Sequence, residues 1–106
     1  MNSTNVLHSA PITMALFEHD ALGELPALTR LLFIGLRCMA DRSGTLADDP
    51  EQIGKVILRH DAPSTAEVEI MLSQLERSRM ITRHNQDGNR LIEVSGLRKP
   101  RRKAQG

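Results

Sequence analysis

The stretch from Ser64 to Val94 leaves this 106-residue chain the least freedom in what it can fold into. It opens on Ser64-Thr65-Ala66-Glu67, a pattern in which the Ser64 hydroxyl accepts the Glu67 N–H and the Glu67 carboxylate accepts the Ser64 N–H. Val68, Met71, Leu72 and Leu75 follow at helical spacing, as one apolar face of an amphipathic helix. Directly after it, Ile81 to Asn85 and Arg90 to Val94 flank Gln86-Asp87-Gly88-Asn89. Asp-Gly marks a tight β-hairpin, because glycine accepts the positive φ that the turn requires. Many small α+β domains contain a capped helix and a hairpin, so the chain before Ser64 must narrow the choice.

That preceding chain reads as two further helices and a short strand. From Pro26 to Ala40 the pattern is helical, with Pro26 suited to the first turn and Leu28, Leu31, Leu32, Gly35, Cys38 and Met39 as a buried stripe. Phe33, Ile34 and Leu36 lie off that stripe, so the helix is apolar nearly all round and its second face needs a cover. Two covers meet the need: the N-terminal arm, or another chain in a homodimer through Phe33, Ile34 and Leu36. Asp41-Arg42-Ser43-Gly44 ends the helix, with Gly44 available for a left-handed turn, and Thr45-Leu46 is a short strand. Asp49 then caps a helix with Pro50 at its first position and Glu51 near the positive end of the dipole; Ile53, Val56 and Ile57 give its core face. Arg59 to Pro63 is the turn into Ser64.

The resulting order, helix-strand-helix-helix-strand-strand, predicts an α+β winged helix-turn-helix, with the hairpin as wing and the short strand paired to it. Residues 1–24 form an N-terminal arm, 25–95 the winged-helix domain and 96–106 a basic tail. Residues 1–11 are polar and aperiodic and predict a mobile end. The apolar cluster Ile12, Met14, Leu16 and Phe17 suits either a helix or an extended segment packed on the domain.

Composition removes several alternatives. Phe17 and Phe33 are the only aromatic residues, so the core is built from Leu, Ile, Val and Met, and stacking of single-stranded bases on aromatic platforms is disfavoured. The single cysteine, Cys38, forms neither a disulfide nor a Cys-based zinc site within one chain, suits a reducing cytoplasm, and reads as a small buried hydrophobe. With no apolar run of membrane-spanning length and no secretory signal, a cytoplasmic location is expected. His8, His19, His60 and His84 show no metal-ligand spacing and no Gly-rich phosphate loop is present, so neither enzyme activity nor any cofactor or metal is expected. His60 with Asp61 reads as a turn-stabilising pair.

The net charge of +1 hides a segregation. Residues 1–76 carry five Lys/Arg against eleven Asp/Glu, whereas residues 77–106 carry nine Lys/Arg against Asp87 and Glu93. This predicts a directional electrostatic face that contains the hairpin and everything after it.

At Leu28-Thr29-Arg30-Leu31-Leu32-Phe33-Ile34-Gly35-Leu36 and Ala40-Asp41-Arg42-Ser43-Gly44, the chain resembles the N-terminal domain of phage and prophage replication-initiation, or replisome-organiser, proteins. The likeness continues through Asp49-Pro50, His60-Asp61, Leu75 to Ile81 and Asp87-Gly88, covering roughly residues 12–95. The first helix is distinctive, while the later parts are common to many winged helices. The resemblance implies a module that binds double-stranded DNA, often joined to a C-terminal region that recruits replication partners. Two departures stand out. The recruiting region is expected to be missing after the basic tail, which points toward a regulator or accessory protein of phage, prophage or plasmid type. The family's Pro-Tyr-Asp turn is here Arg59-His60-Asp61.

The residues expected at DNA are Lys55 and Arg59 on and after the second helix, Thr65, Ser73, Arg77 and Arg79 on the third, and Arg83, His84, Asn85, Gln86, Asn89 and Arg90 on the wing. The tail adds Arg98, Lys99, Arg101, Arg102 and Lys103 as phosphate-tracking cations, although a solubilising role for that run is the plainer alternative. One difficulty is internal: the helix that should enter the major groove carries Glu67, Glu69 and Glu76. The wing and the tail are therefore the expected contacts. The competing expectation is a dimerisation or docking module that binds no DNA, with a replication or regulatory protein as partner.

Overall fold

The computed structural model describes residues 14–95. Among them lie five helices and one three-stranded antiparallel sheet, a mixed α+β architecture. The helices are α1 (Met14–Glu18), α2 (Asp20–Gly23), α3 (Ala27–Met39), α4 (Pro50–Ile57) and α5 (Thr65–Arg77). The strands are β1 (Thr45–Ala47), β2 (Ile81–Gln86) and β3 (Asn89–Val94), ordered β1-β3-β2 in the sheet.

The local chemistry explains where each element starts. Asp49 accepts the Gln52 N–H at 3.3 Å and Pro50 begins α4. At α5 the reciprocal cap is present: Ser64 Oγ accepts the Glu67 N–H at 3.1 Å, and Glu67 Oε1 accepts the Ser64 N–H at 2.8 Å. Two of the four N–H groups orphaned at a helix start are answered this way. The hairpin turns on Asp87 and Gly88, both at positive φ (55° and 83°), the geometry of a two-residue turn that matches strand twist. Before β1, the Asp41 carboxylate accepts from Ser43 Oγ at 2.7 Å and from the N–H groups of Ser43 and Thr45, which hold its pKa below the ordinary 3.8.

Short strand β1 pairs with β3, Leu46 opposite Ile92, and joins the hairpin in one sheet as expected. The arm, left open between helix and extended chain, is helical where it is described. His19 caps α2 through Nδ1, which accepts the Leu22 N–H at 3.4 Å.

A single cluster forms the core, and α5 sits in it against α3, α4 and β2. Leu16 and Leu22 of the arm belong to the same cluster as Phe33 and Leu36, both 0 % exposed. This corrects the homodimer expectation: Phe33 and Leu36 are enclosed within one chain and cannot meet a partner, and Ile34 is half-buried against the same cluster. The buried stripe of α3 is also rotated from the expected one. Thr29, Leu32, Phe33 and Leu36 are buried, while Leu31, Cys38 and Met39 are exposed. In α4, Val56 is exposed and Gly54 takes the buried position. Gly54 and Gly35 allow this close packing, since a Cβ on Gly54 would stand 2.8 Å from Val68 Cγ2 and one on Gly35 would collide with Ile57.

Candidate nucleic-acid interface

Side chains alternate faces along a strand. In β2, Ile81 is buried, so Arg83 two residues on shares its inward face, opposite the buried Ile92. Arg83 is therefore turned toward α5 and the end of β1. Its Nε donates to Asp48 Oδ2 at 2.8 Å and its Nη2 to Asp48 Oδ1 at 3.0 Å. The other edge of the same guanidinium reaches Glu69, Nη1 to Oε2 at 2.7 Å and Nη2 to Oε1 at 2.9 Å. Two bidentate forks on one planar cation are the strong form of an ion pair. The Asp48 side chain is 3 % exposed and that of Glu69 46 %. Hydrogen bonding from Arg83 holds the Glu69 carboxyl below its ordinary range, and the same bonds to Glu69 and Asp48 raise the Arg83 pKa further. Arg90 Nη2 stands 3.7 Å from Asp48 Oδ2, so two cations face two carboxylates.

This corrects one expected contact. Arg83 is a clamp between the sheet and α5, with four of its five N–H donors committed to carboxylates. Sequence reading missed its partners Asp48 and Glu69. The alternation from Ile81 was the available signal for Arg83; the partners carried none, since Asp48 comes from a loop 35 residues away.

The clamp also changes the character of α5. Glu69 is drawn aside to Arg83 and Glu67 is folded back on the helix start. The stripe opposite the buried Val68, Met71, Leu72 and Leu75 is then Ala66, Ile70, Ser73 and Arg77, spaced four, three and four residues apart. It carries no carboxylate.

The other expected residues fall into three groups. Lys55, Arg59 and Thr65 line one groove of about 370 Å³ between α4 and the start of α5; Lys55 also pairs with Glu51 at 3.1 Å on the surface. Arg77 and Arg79 are exposed at the other end of α5, Arg79 at a left-handed φ of 63°. His84, Asn85, Gln86, Asn89 and Arg90 are exposed at the hairpin end. Arg98, Lys99, Arg101, Arg102 and Lys103 lie outside the described residues. Among the described residues, no group of three or more His, Cys, Asp or Glu is placed to hold a metal ion, and no helix is long and apolar enough to cross a membrane.

Comparison with protein-family models, with curated proteins and with solved structures finds no match to this chain.

Proposed function

We propose that the chain is a winged helix-turn-helix that binds double-stranded DNA, with α4 and α5 as the helix-turn-helix and the β2–β3 hairpin as the wing. The element order and the β1-β3-β2 sheet support this reading. The observation that carries it is the outward stripe of α5, Ala66, Ile70, Ser73 and Arg77, from which two nearby carboxylates have been withdrawn. An uncharged stripe ending in a cation can approach a polyanion, where its methyl groups suit the thymine methyl and its hydroxyl suits base edges. Lys55, Arg59, Arg77 and Arg79 serve phosphates, as do the cations of residues 98–103. Asn85, Gln86, Asn89 and Arg90 at the wing supply groove contacts. The place of action, phage, prophage or plasmid replication initiation or its transcriptional control, rests on the sequence resemblance alone.

The test is a fluorescence-anisotropy titration of the full chain with duplex DNA at two salt concentrations. Binding that weakens steeply with salt is the expected result. No binding at the lower salt would remove DNA as the partner. The second reading, a docking module, would then stand, and one feature favours it: an apolar groove edged by carboxylates between α3 and α5.

A further inference from the structure

We infer that this groove between α3 and α5 is the docking site for the chain's own basic segment, Leu97 to Lys103. The groove measures about 440 Å³. Leu28, Pro63, Ile70 and Met71 supply its apolar wall, and Asp61 and Glu67 its charge; no Lys, Arg or His lines it among the described residues. Ile70 is 58 % exposed there. Thr29 Oγ1 donates to Gln74 Oε1 at 2.8 Å and ties the two helices together at the groove. The chemistry asked of an occupant is thus a cationic segment with an apolar anchor, and Leu97-Arg98-Lys99-Pro100-Arg101-Arg102-Lys103 has both.

The exit of the chain makes this segment the nearest source. Ser95 is the last described residue, and it is fastened between the C-terminal ends of the same two helices. Its N–H donates to Met80 O at 2.9 Å and its Oγ to Arg79 O at 3.0 Å, just past α5, while Arg37 Nη1 of α3 donates to Ser95 O at 3.3 Å. From Arg79 back to Glu67 is about 18 Å along a helix rising 1.5 Å per residue. Six extended residues after Ser95 cover about 20 Å. Gly96, uncharged, then passes Arg37 and Arg79, Leu97 comes level with Gln74 at the near end of the groove, and Arg101 to Lys103 come level with Glu67 and Asp61. Cations meet carboxylates only where the groove is acidic. Exposed pairs of this kind are individually weak, so the docked segment is released by salt. On the DNA-binding reading, on which this half of the inference rests, it is also released by duplex DNA, whose phosphates compete for the same cations.

The experiment uses the full chain carrying Cys38→Ser and Ala104→Cys, with a nitroxide on the new thiol and methyl NMR as readout. The Ile70 and Leu28 methyl signals are expected to lose at least half their intensity, and to regain it when the nitroxide is reduced. Ala47, on the outer face of the sheet, is expected to keep its own. Adding Asp61→Asn and Glu67→Gln should abolish most of the loss, since Gln preserves the cap on α5. Full-intensity Ile70 and Leu28 in the parent chain would overturn the inference, as would equal loss in the neutralised variant. Loss arising only between chains, seen by mixing nitroxide-bearing with isotope-labelled protein, would overturn it in favour of a second copy. Added duplex DNA is expected to restore the Ile70 signal. If DNA binds by anisotropy and the signal stays low, the competition is wrong. If DNA does not bind while the loss persists, the docking stands and the DNA-binding reading falls.

Discussion

Arg83 ties the sheet to α5 through its two bonds to Glu69, and its removal leaves buried Asp48 with one of its two cations gone. Breaking a buried pair from one side costs about 3–5 kcal/mol. Arg90, 3.7 Å from Asp48, offers partial replacement, so Arg83→Met is expected to cost about 2–3 kcal/mol in urea denaturation. Adding Asp48→Asn should recover part of that loss. The clamp also predicts a pH dependence. Glu69 has a folded pKa below its unfolded value near 4.5, so between the two values the unfolded chain binds more protons. Its stabilisation is complete above pH 4.5 and is lost as pH falls through the folded value. Below pH 4.5, Glu69→Gln should therefore lose less stability on acidification than the parent chain. Arg79 predicts the opposite kind of effect. It occupies the left-handed position after α5, where Met80 N–H donates back to Leu75 O at 2.9 Å, a place that favours glycine. Arg79→Gly is expected to raise stability by about 0.5 kcal/mol and to weaken DNA binding, which separates a residue kept for charge from one kept for folding. At this scale the sequence was half legible. The strand period placed Arg83 inward, but the two acids that complete the clamp come from a loop and a helix whose meeting depends on the finished fold.

Elements were legible wherever their ends carry local chemistry. The caps at Asp49 and Ser64 and the Asp87-Gly88 turn are satisfied by atoms a few residues apart, so no knowledge of the core is needed to place them. The faces of α3 were not, because a helix apolar on nearly every side gives no unique stripe. Packing against α5 and α4 selects Thr29, Leu32, Phe33 and Leu36 and leaves Leu31 and Met39 outside. The arm itself was unreadable for a related reason: its first helix is five residues long and exists only against the core. Helix spacing is set by glycine at two crossings, and at Gly54 the neighbour is the fully buried Val68. Alanine there gains about 1 kcal/mol of helix propensity but forces a methyl into buried Val68, an overpacking cost of about 1–3 kcal/mol. Gly54→Ala is expected to lower stability by about 1 kcal/mol net, read as a fall of about 4–8 °C in melting temperature. An unchanged melting temperature would mean that α4 and α5 are less firmly seated than their packing implies.

The molecule as a whole separates its charge along the chain, and that separation decides what a DNA titration should look like. Residues 77–106 hold nine of the fourteen Lys and Arg, five of them between Arg98 and Lys103. On the DNA-binding reading, with Arg83 locked in its clamp, phosphate contacts would fall to Lys55, Arg59, Arg77, Arg79, the wing and the residues after Ser95. Six phosphates engaged would give a slope of about −5 in a plot of log affinity against log salt. Converting Arg98, Arg101 and Arg102 together to Ala removes half of such a set and should flatten the slope to about −3, weakening every DNA sequence alike. Changing Asn85, Gln86 or Arg90 should instead alter the preference among sequences, since side chains at base edges discriminate and those at phosphates do not. The two experiments divide the surface differently. A flattened slope with unchanged preference assigns the basic segment to phosphate; an unchanged slope would take that segment out of the interface. If it is also held in the α3–α5 groove, the parent chain must first release it to reach DNA. The triple variant has less of such a release to make, so at low salt, where the segment is held most firmly, the parent chain's advantage in affinity should fall short of what three phosphate contacts supply.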